Sequence, residues 1–149
     1  MRLTSLDEIM TFAIRKEADT AAFYHMAAER SDPGARKAFE ELAMEEEGHK
    51  KKLEGFNLKK VDQMELKKTK GLGMSEMMED VPYSSDMSYA DLLRFAIKNE
   101  EKSQRLYAST AKIVTESSLK KLLLVLAQEE SIHKERLEKI YDEEILEEF

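Results

Sequence analysis

Apolar residues along this 149-residue chain recur at three- and four-residue steps over four long stretches, and no segment keeps the two-residue alternation of a half-buried strand. The first stripe is Leu6, Met10, Ala13, Glu17, Thr20, Tyr24 and Ala27; the second is Phe39, Leu42, Glu46, His49, Leu53 and Phe56. The third is Tyr89, Leu93, Ala96, Glu100, Ser103, Tyr107, Thr110 and Val114; the fourth is Leu119, Leu123, Leu126, Glu130, His133, Leu137 and Ile140. Each has the spacing of a buried bundle seam, and each is interrupted near its middle by an ionisable side chain. Local signals bound the helices. Ser5, with Glu8 three residues on, opens a first helix that runs to about Arg30. Asp32 and Pro33 open the second, which Gly55 ends after Glu54. Ser88, with Asp91, opens the third, to about Thr115, and the fourth follows 116-ESS-118 into 141-YDEEILEEF-149.

The links between the first and second and between the third and fourth helices are short, so each pair is expected to form an antiparallel hairpin, at about 5–54 and 88–146. Between the hairpins lies a less regular stretch, about 55–87, containing 71-GLGMSEMMEDVPYSSDM-87. A connection of ~30 residues can run the length of a bundle at ~3.3 Å per extended residue. The predicted class is therefore all-α: a single domain over 1–149, a four-helix bundle with one long crossover between helices two and three, which is the ferritin-like topology. The Met74, Met77 and Met78 cluster is read as packing that crossover onto the bundle.

The chain also repeats itself. 12-FAIRKEADTAAFY-24 is echoed by 95-FAIKNEEKSQRLY-107, and 42-LAMEEEGHKKKL-53 by 126-LAQEESIHKERL-137. The unit repeated is a whole helical hairpin, an internal twofold repeat.

The repeat brings four glutamates and two histidines toward the interior at similar depth: Glu17, Glu46, His49, Glu100, Glu130 and His133. Carboxylates in an apolar core are costly unless paired, protonated or bound to metal. Lys16, Lys50, Lys98 and Lys134 sit off the seams and are expected to be poor internal partners. Two divalent cations would cancel four carboxylates, while neutral imidazoles add no charge. Glu-x-x-His puts both side chains on one helix face about a turn apart, able to serve one metal. One Glu from each of two helices plus Glu-x-x-His from each of the other two is the ligand set of carboxylate-bridged dinuclear bundles. Hard carboxylates suit iron or manganese, and imidazole is compatible with both.

Neighbouring groups get blander readings. Glu45, Glu47, Glu101 and Glu129 are expected on a solvated face, and His25 at the surface. Tyr24 and Tyr107 lie two turns from Glu17 and Glu100 on the same face, where hydrogen-bond donation, electron relay and core packing are all open.

Composition narrows the classes. The absence of Cys excludes disulfides, thiolate metal sites and Cys nucleophiles. A formal net charge of −7 argues against nucleic acid as a partner. There is no signal-peptide run and no window near the ~20 apolar residues of a membrane span, so a cytoplasmic protein without a membrane partner is expected.

With Glu17, Glu46-Glu47-Gly48-His49, Glu100 and Glu130-Ser131-Ile132-His133 in place, the chain resembles the rubrerythrin branch of the ferritin-like superfamily over nearly its whole length. That resemblance implies a non-haem diiron centre (Fe2+/Fe3+) and chemistry on O2 or H2O2, often in oxidative-stress defence. It also implies a homodimer or larger homo-oligomer. Rubrerythrins proper carry a four-Cys rubredoxin domain; this chain has no Cys, so an external electron donor such as a separate rubredoxin is expected. They also carry a further Glu one turn along the third helix, where Ser103 stands here, leaving a more symmetric six-ligand set. The leading expectation is a diiron oxidoreductase in which Glu17 and His49 serve one iron and Glu100 and His133 the other. Glu46 and Glu130 would bridge, with Thr20 and Ser103 leaving room for an oxidant. The alternatives are a ferroxidase or iron-storage protein, and a non-catalytic metal-stabilised bundle.

Overall fold

The computed structural model describes residues 2–3, 5–56, 72–73 and 87–146. Among these described residues lie four helices, α1 (Leu6–Glu29), α2 (Pro33–Glu54), α3 (Tyr89–Ile113) and α4 (Ser117–Tyr141), the last followed by a π-helical turn, Asp142–Leu146. The predicted caps form. Ser5 accepts from the Glu8 amide at 3.1 Å, Asp32 from Ala35 at 2.9 Å, and Ser88 from Asp91 at 3.1 Å. Glu116, not foreseen as a cap, accepts from Leu119 at 2.7 Å. Each such cap is worth about 1 kcal/mol to its helix. Arg2–Leu3 (β1) pairs antiparallel with Leu72–Gly73 (β2). No strand was expected, because two-residue segments are too short to show an alternating pattern.

Side-chain contacts fix the directions of the helices. Tyr24 of α1 reaches Glu100 of α3 while Tyr107 of α3 reaches Glu17 of α1, so these helices run antiparallel. His49 meets Glu129 and His133 meets Glu45, so α2 and α4 also run antiparallel. Because α1 and α2 form a tight hairpin, α2 and α3 point the same way. Phe56 packs at one end, with Leu6 and Ile113, whereas Arg30 bonds the Met87 carbonyl at the other. This is the ferritin-like arrangement. Most of the crossover expected at 55–87, including Met74, Met77 and Met78, lies outside the described residues.

The seams are buried nearly as read, with Phe56, Tyr89 and Ile140 half-buried at the ends. The apolar core is in two parts. One holds Leu6, Met10, Ala13, Leu53, Leu106, Leu119, Leu123 and Leu126. The other holds Phe23, Ala27, Phe39, Leu42, Leu92, Leu93, Ala96 and Leu137. All four helices contribute to each part. Between them lies a layer of Glu17, Glu46, His49, Glu100, Glu130 and His133, none more than 4% exposed. Among the described residues, no helix is long and apolar enough to cross a membrane.

Candidate metal centre

All six sequence-predicted residues meet in that layer. Two overlapping groups form: Glu17, Glu46, His49 and Glu130, and Glu46, Glu100, Glu130 and His133, each with donor atoms within 4.8 Å of one another. Glu46 and Glu130 belong to both. The imidazoles of His49 and His133 stack with centroids 5.6 Å apart and planes 9° from parallel. Both present Nδ1 inward. That of His49 lies 2.9 Å from Glu130 and 3.6 Å from Glu17 and Glu46. That of His133 lies 2.8 Å from Glu46 and 3.6 Å from Glu100 and Glu130. The i,i+3 spacing of Glu-x-x-His on α2 and α4 places each pair on the inner face.

The tyrosines are crossed. Tyr24 on α1 donates its hydroxyl to Glu100 on α3, and Tyr107 on α3 donates to Glu17 on α1. Of the roles left open by the sequence, hydrogen-bond donation is the one seen. Each tyrosine occupies one oxygen of its carboxylate and leaves the other.

Those remaining oxygens show what the site fits. Glu17 Oε2, Glu46 Oε2, Glu100 Oε2, both oxygens of Glu130 and His49 Nδ1 are buried without a hydrogen-bond partner. The 2.9 Å approach of His49 Nδ1 to Glu130 lacks hydrogen-bond alignment. Buried polar atoms are rarely left unpaired, because desolvating them uncompensated costs about 1–3 kcal/mol each, and more when charged. Five unpartnered carboxylate oxygens and one imidazole nitrogen converging on one layer fit cations.

The electrostatics agree. Burial pushes Glu46 and Glu130 well above the ordinary carboxylate range, and the charge of Glu100 pushes them further. Glu17 is also penalised by burial, yet the closeness of Glu46 and His49 and the hydrogen bond from Tyr107 hold it below the usual value. Burial opposes protonation of His49, but Glu130, Glu17 and Glu46 outweigh it and drive its pKa upward. His133 moves the same way, burial being outweighed by Glu100, Glu130 and Glu45. Tyr24 and Tyr107 are held far above the normal phenol range by burial and by Glu100 and Glu17 respectively, so both stay protonated donors. Divalent cations held by these oxygens would offset the same mutual repulsion of the buried carboxylates.

Two sequence expectations are corrected here. Glu45 and Glu129 do not simply face solvent. Glu45 lies with a carboxylate oxygen 2.6 Å from His133 Nε2, and Glu129 contacts His49 Nε2, with side chains 51% and 35% exposed. Each stands one residue before a seam glutamate. Because α2 and α4 are neighbours, this flank position on one helix faces the histidine edge of the other. The doubled Glu-Glu in both copies of the repeat was the available signal. Lys16 is the second correction: it is buried, and its Nζ donates to Asn99 Oδ1 at 2.7 Å, while Asn99 Nδ2 donates to Thr20 Oγ1 at 3.0 Å. An amide across the α1–α3 interface, invisible to a seam count, lets the lysine turn inward. Glu47 and Glu101 do stay outside, Glu47 with the exposed His25 at 2.8 Å and Glu101 with Arg105 at 2.8 Å. Ser103 is buried, and Glu45, Gly48, His49, Lys52, Glu129, Ile132 and His133 line a cleft of about 330 Å³ between α2 and α4.

Two solved structures share this architecture. A hypothetical protein from Pyrococcus furiosus is 26% identical, with a TM-score of 0.74 over 93% of this chain and 89% of that one. A Thermotoga maritima protein described as ferritin-like diiron-carboxylate is 23% identical, with a TM-score of 0.73 over 97% of this chain and 98% of that one. None of the curated proteins compared with the chain matches it. The rubrerythrin family pattern matches residues 8–79 and 91–148, the stretches that carry the whole glutamate and histidine layer, and the chain belongs to the rubrerythrin family.

Proposed function

We propose that this protein is a non-haem diiron oxidoreductase acting on O2 or hydrogen peroxide. The observation that carries the reading is the buried layer itself: four carboxylates and two imidazoles, with six of their polar atoms lacking a hydrogen-bond partner. Family membership and the likeness to a protein described as diiron-carboxylate support iron as the metal. Glu17 and His49 would hold one ion and Glu100 and His133 the other, with Glu46 and Glu130 offered to both. When bound, a pair of ferrous ions supplies two electrons to the oxidant.

The chain's own residues set the conditions. Tyr24 and Tyr107 fix Glu100 and Glu17, so that one oxygen of each points to the site. The apolar clusters on either side exclude water, which strengthens every charge interaction within the layer. Electrons would come from a separate protein or small reductant, and family membership supports a role in oxidative-stress defence as part of the proposal. A second reading, ferrous iron oxidation for iron handling, is favoured by the buried Ser103, which gives both half-sites the same count of donors.

The test is elemental analysis of anaerobically purified protein, with absorption spectra and peroxide consumption followed after H2O2 is added. About two irons per chain and reductant-dependent peroxide turnover are expected. Glu46→Ala and His133→Ala should each lose about one metal per chain; unchanged metal content in both would reject the site assignment. Fast ferrous oxidation without peroxide turnover would move the assignment to iron handling.

A further inference from the structure

The histidines have two faces, and only the inner one belongs to the metal layer. The outer nitrogen of each ring is held by a carboxylate from the opposite helix. Glu45 of α2 pairs with His133 of α4 at 2.6 Å, and Glu129 of α4 pairs with His49 of α2. The wiring is crossed. Glu45 is next in sequence to Glu46 and shares a helix with His49, yet it touches the other histidine. We propose that Glu45 and Glu129 are positioning residues, each setting the ring of the histidine across the α2–α4 interface for the half-site to which that histidine belongs. The proposal rests on the diiron reading of the layer.

The physical argument is one of tautomer and angle. An imidazole binds metal through a nitrogen that carries no proton, so the proton of neutral His must sit on the other nitrogen. A carboxylate at Nε2 holds that proton and fixes the ring plane, leaving Nδ1 free toward the buried oxygens. The two rings lie 9° from parallel, and each meets an outer carboxylate at its Nε2. Both pairs occur at the cleft lined by Gly48, Lys52 and Ile132, so the outer carboxylates keep contact with solvent while the rings they hold are buried. Glu47 provides an internal contrast: it has the same charge and the same helix, but its partner is the exposed His25, away from the layer.

The test is anaerobic titration of the metal-free protein with Co2+, read by its visible bands, and with Fe2+, read by calorimetry. Wild type should take up two equivalents, as the donor set requires. In Glu45→Ala one of the two should bind about ten- to a hundredfold more weakly, the range typical for loss of an outer partner of a metal-bound histidine. Glu129→Ala should do the same to the other equivalent, and Glu47→Ala should change neither. The crossing is read by double variants. Glu45→Ala should add little to His133→Ala but its full effect to His49→Ala, because coupling is confined to groups in contact. Acetate, which the cleft can admit, should restore binding to Glu45→Ala. Unchanged affinity in both alanine variants, an equal effect of Glu47→Ala, or coupling of Glu45 to His49 would overturn the proposal while leaving the diiron reading intact. A wild-type protein that binds no metal would overturn both.

Discussion

The two hairpins of this bundle are near copies, and comparing them separates what the site needs from what it tolerates. Among the donors of the buried layer and the tyrosines and outer glutamates bonded to them, the copies agree: Glu17 with Glu100, Tyr24 with Tyr107, Glu46 with Glu130, His49 with His133, and Glu45 with Glu129. One step away they diverge. Lys16 stands opposite Asn99, Thr20 opposite Ser103, and Gly48 opposite Ile132. The agreement extends to the bonds, since each tyrosine and each outer glutamate reaches into the other half. No single hairpin is a complete half-site, because each group of donors draws residues from both hairpins. Symmetry in the sequence therefore reports a shared centre at the interface rather than two independent ones.

The largest test of that view is the energy held in the layer as a whole. If both halves serve one dinuclear centre, metal should bind the folded protein far better than the unfolded chain. At about a thousand times the dissociation constant the gain is ~4 kcal/mol. For a domain of this size that raises Tm by roughly 8–16 °C. Scanning calorimetry of metal-free and Fe2+-loaded protein without oxygen measures it. A melting temperature indifferent to metal would make the layer merely a polar seam, and the likeness of the hairpins a matter of packing.

A smaller effect asks whether the halves are equivalent. Tyr24→Phe and Tyr107→Phe each remove the donor to one buried carboxylate. A hydrogen bond to a charged group contributes about 1.5–3 kcal/mol, so each variant should lose that much in urea denaturation of the metal-free protein. The two losses should agree to within about 0.5 kcal/mol. If one variant is neutral and the other costly, the crossed pair is not a pair in energy, and the two half-sites must be treated separately.

Much of this was legible before any coordinates. A seam count found the depth of all six layer residues, because a residue's place on a helix face depends only on spacing. Caps marked the starts of α1, α2 and α3 for the same local reason. What the seam count could not see was contact between helices at their flanks. Glu45 and Glu129 lie beside the seam, and their turn toward His133 and His49 depends on which helices are neighbours. The crossing of Tyr24 and Tyr107 likewise needs the antiparallel packing of α1 on α3. Lys16 was misplaced because a long side chain follows its partner, Asn99, rather than its heptad position.

That misplaced lysine leads to the third test, where the halves differ. Lys16 and Asn99 are equivalent positions of the repeat that bond directly to each other, and Asn99 also reaches Thr20. Asn99→Ala removes both bonds and should cost about 1–3 kcal/mol in stability. Metal affinity should hold, because neither residue belongs to the groups that gather around the layer. A loss of metal binding in this variant would show that the asymmetric pair acts on the centre, and that the division between conserved contact and free variation within the repeat is drawn in the wrong place.

The smallest expected effect concerns Gly48, whose counterpart in the second hairpin is Ile132. A glycine inside a helix costs roughly 0.5–1 kcal/mol relative to alanine, through the backbone freedom it loses on folding. At Gly48 nothing in the fold demands that cost: a Cβ there would meet no heavy atom within 4 Å. Gly48→Ala should therefore stabilise the protein by about 0.5–1 kcal/mol, read from its denaturation midpoint at unchanged m-value. Since the residue lines the α2–α4 cleft beside His49, the same variant also asks whether that opening matters. A methyl group is too small to reach the bonds of Glu45 or Glu129, so metal affinity should stay at the wild-type value. If stability rises and affinity falls, the difference between Gly48 and Ile132 belongs to the working of the site. If stability falls, the helix around the first Glu-x-x-His is held more tightly than that around the second, and the two copies differ in backbone as well as in side chain.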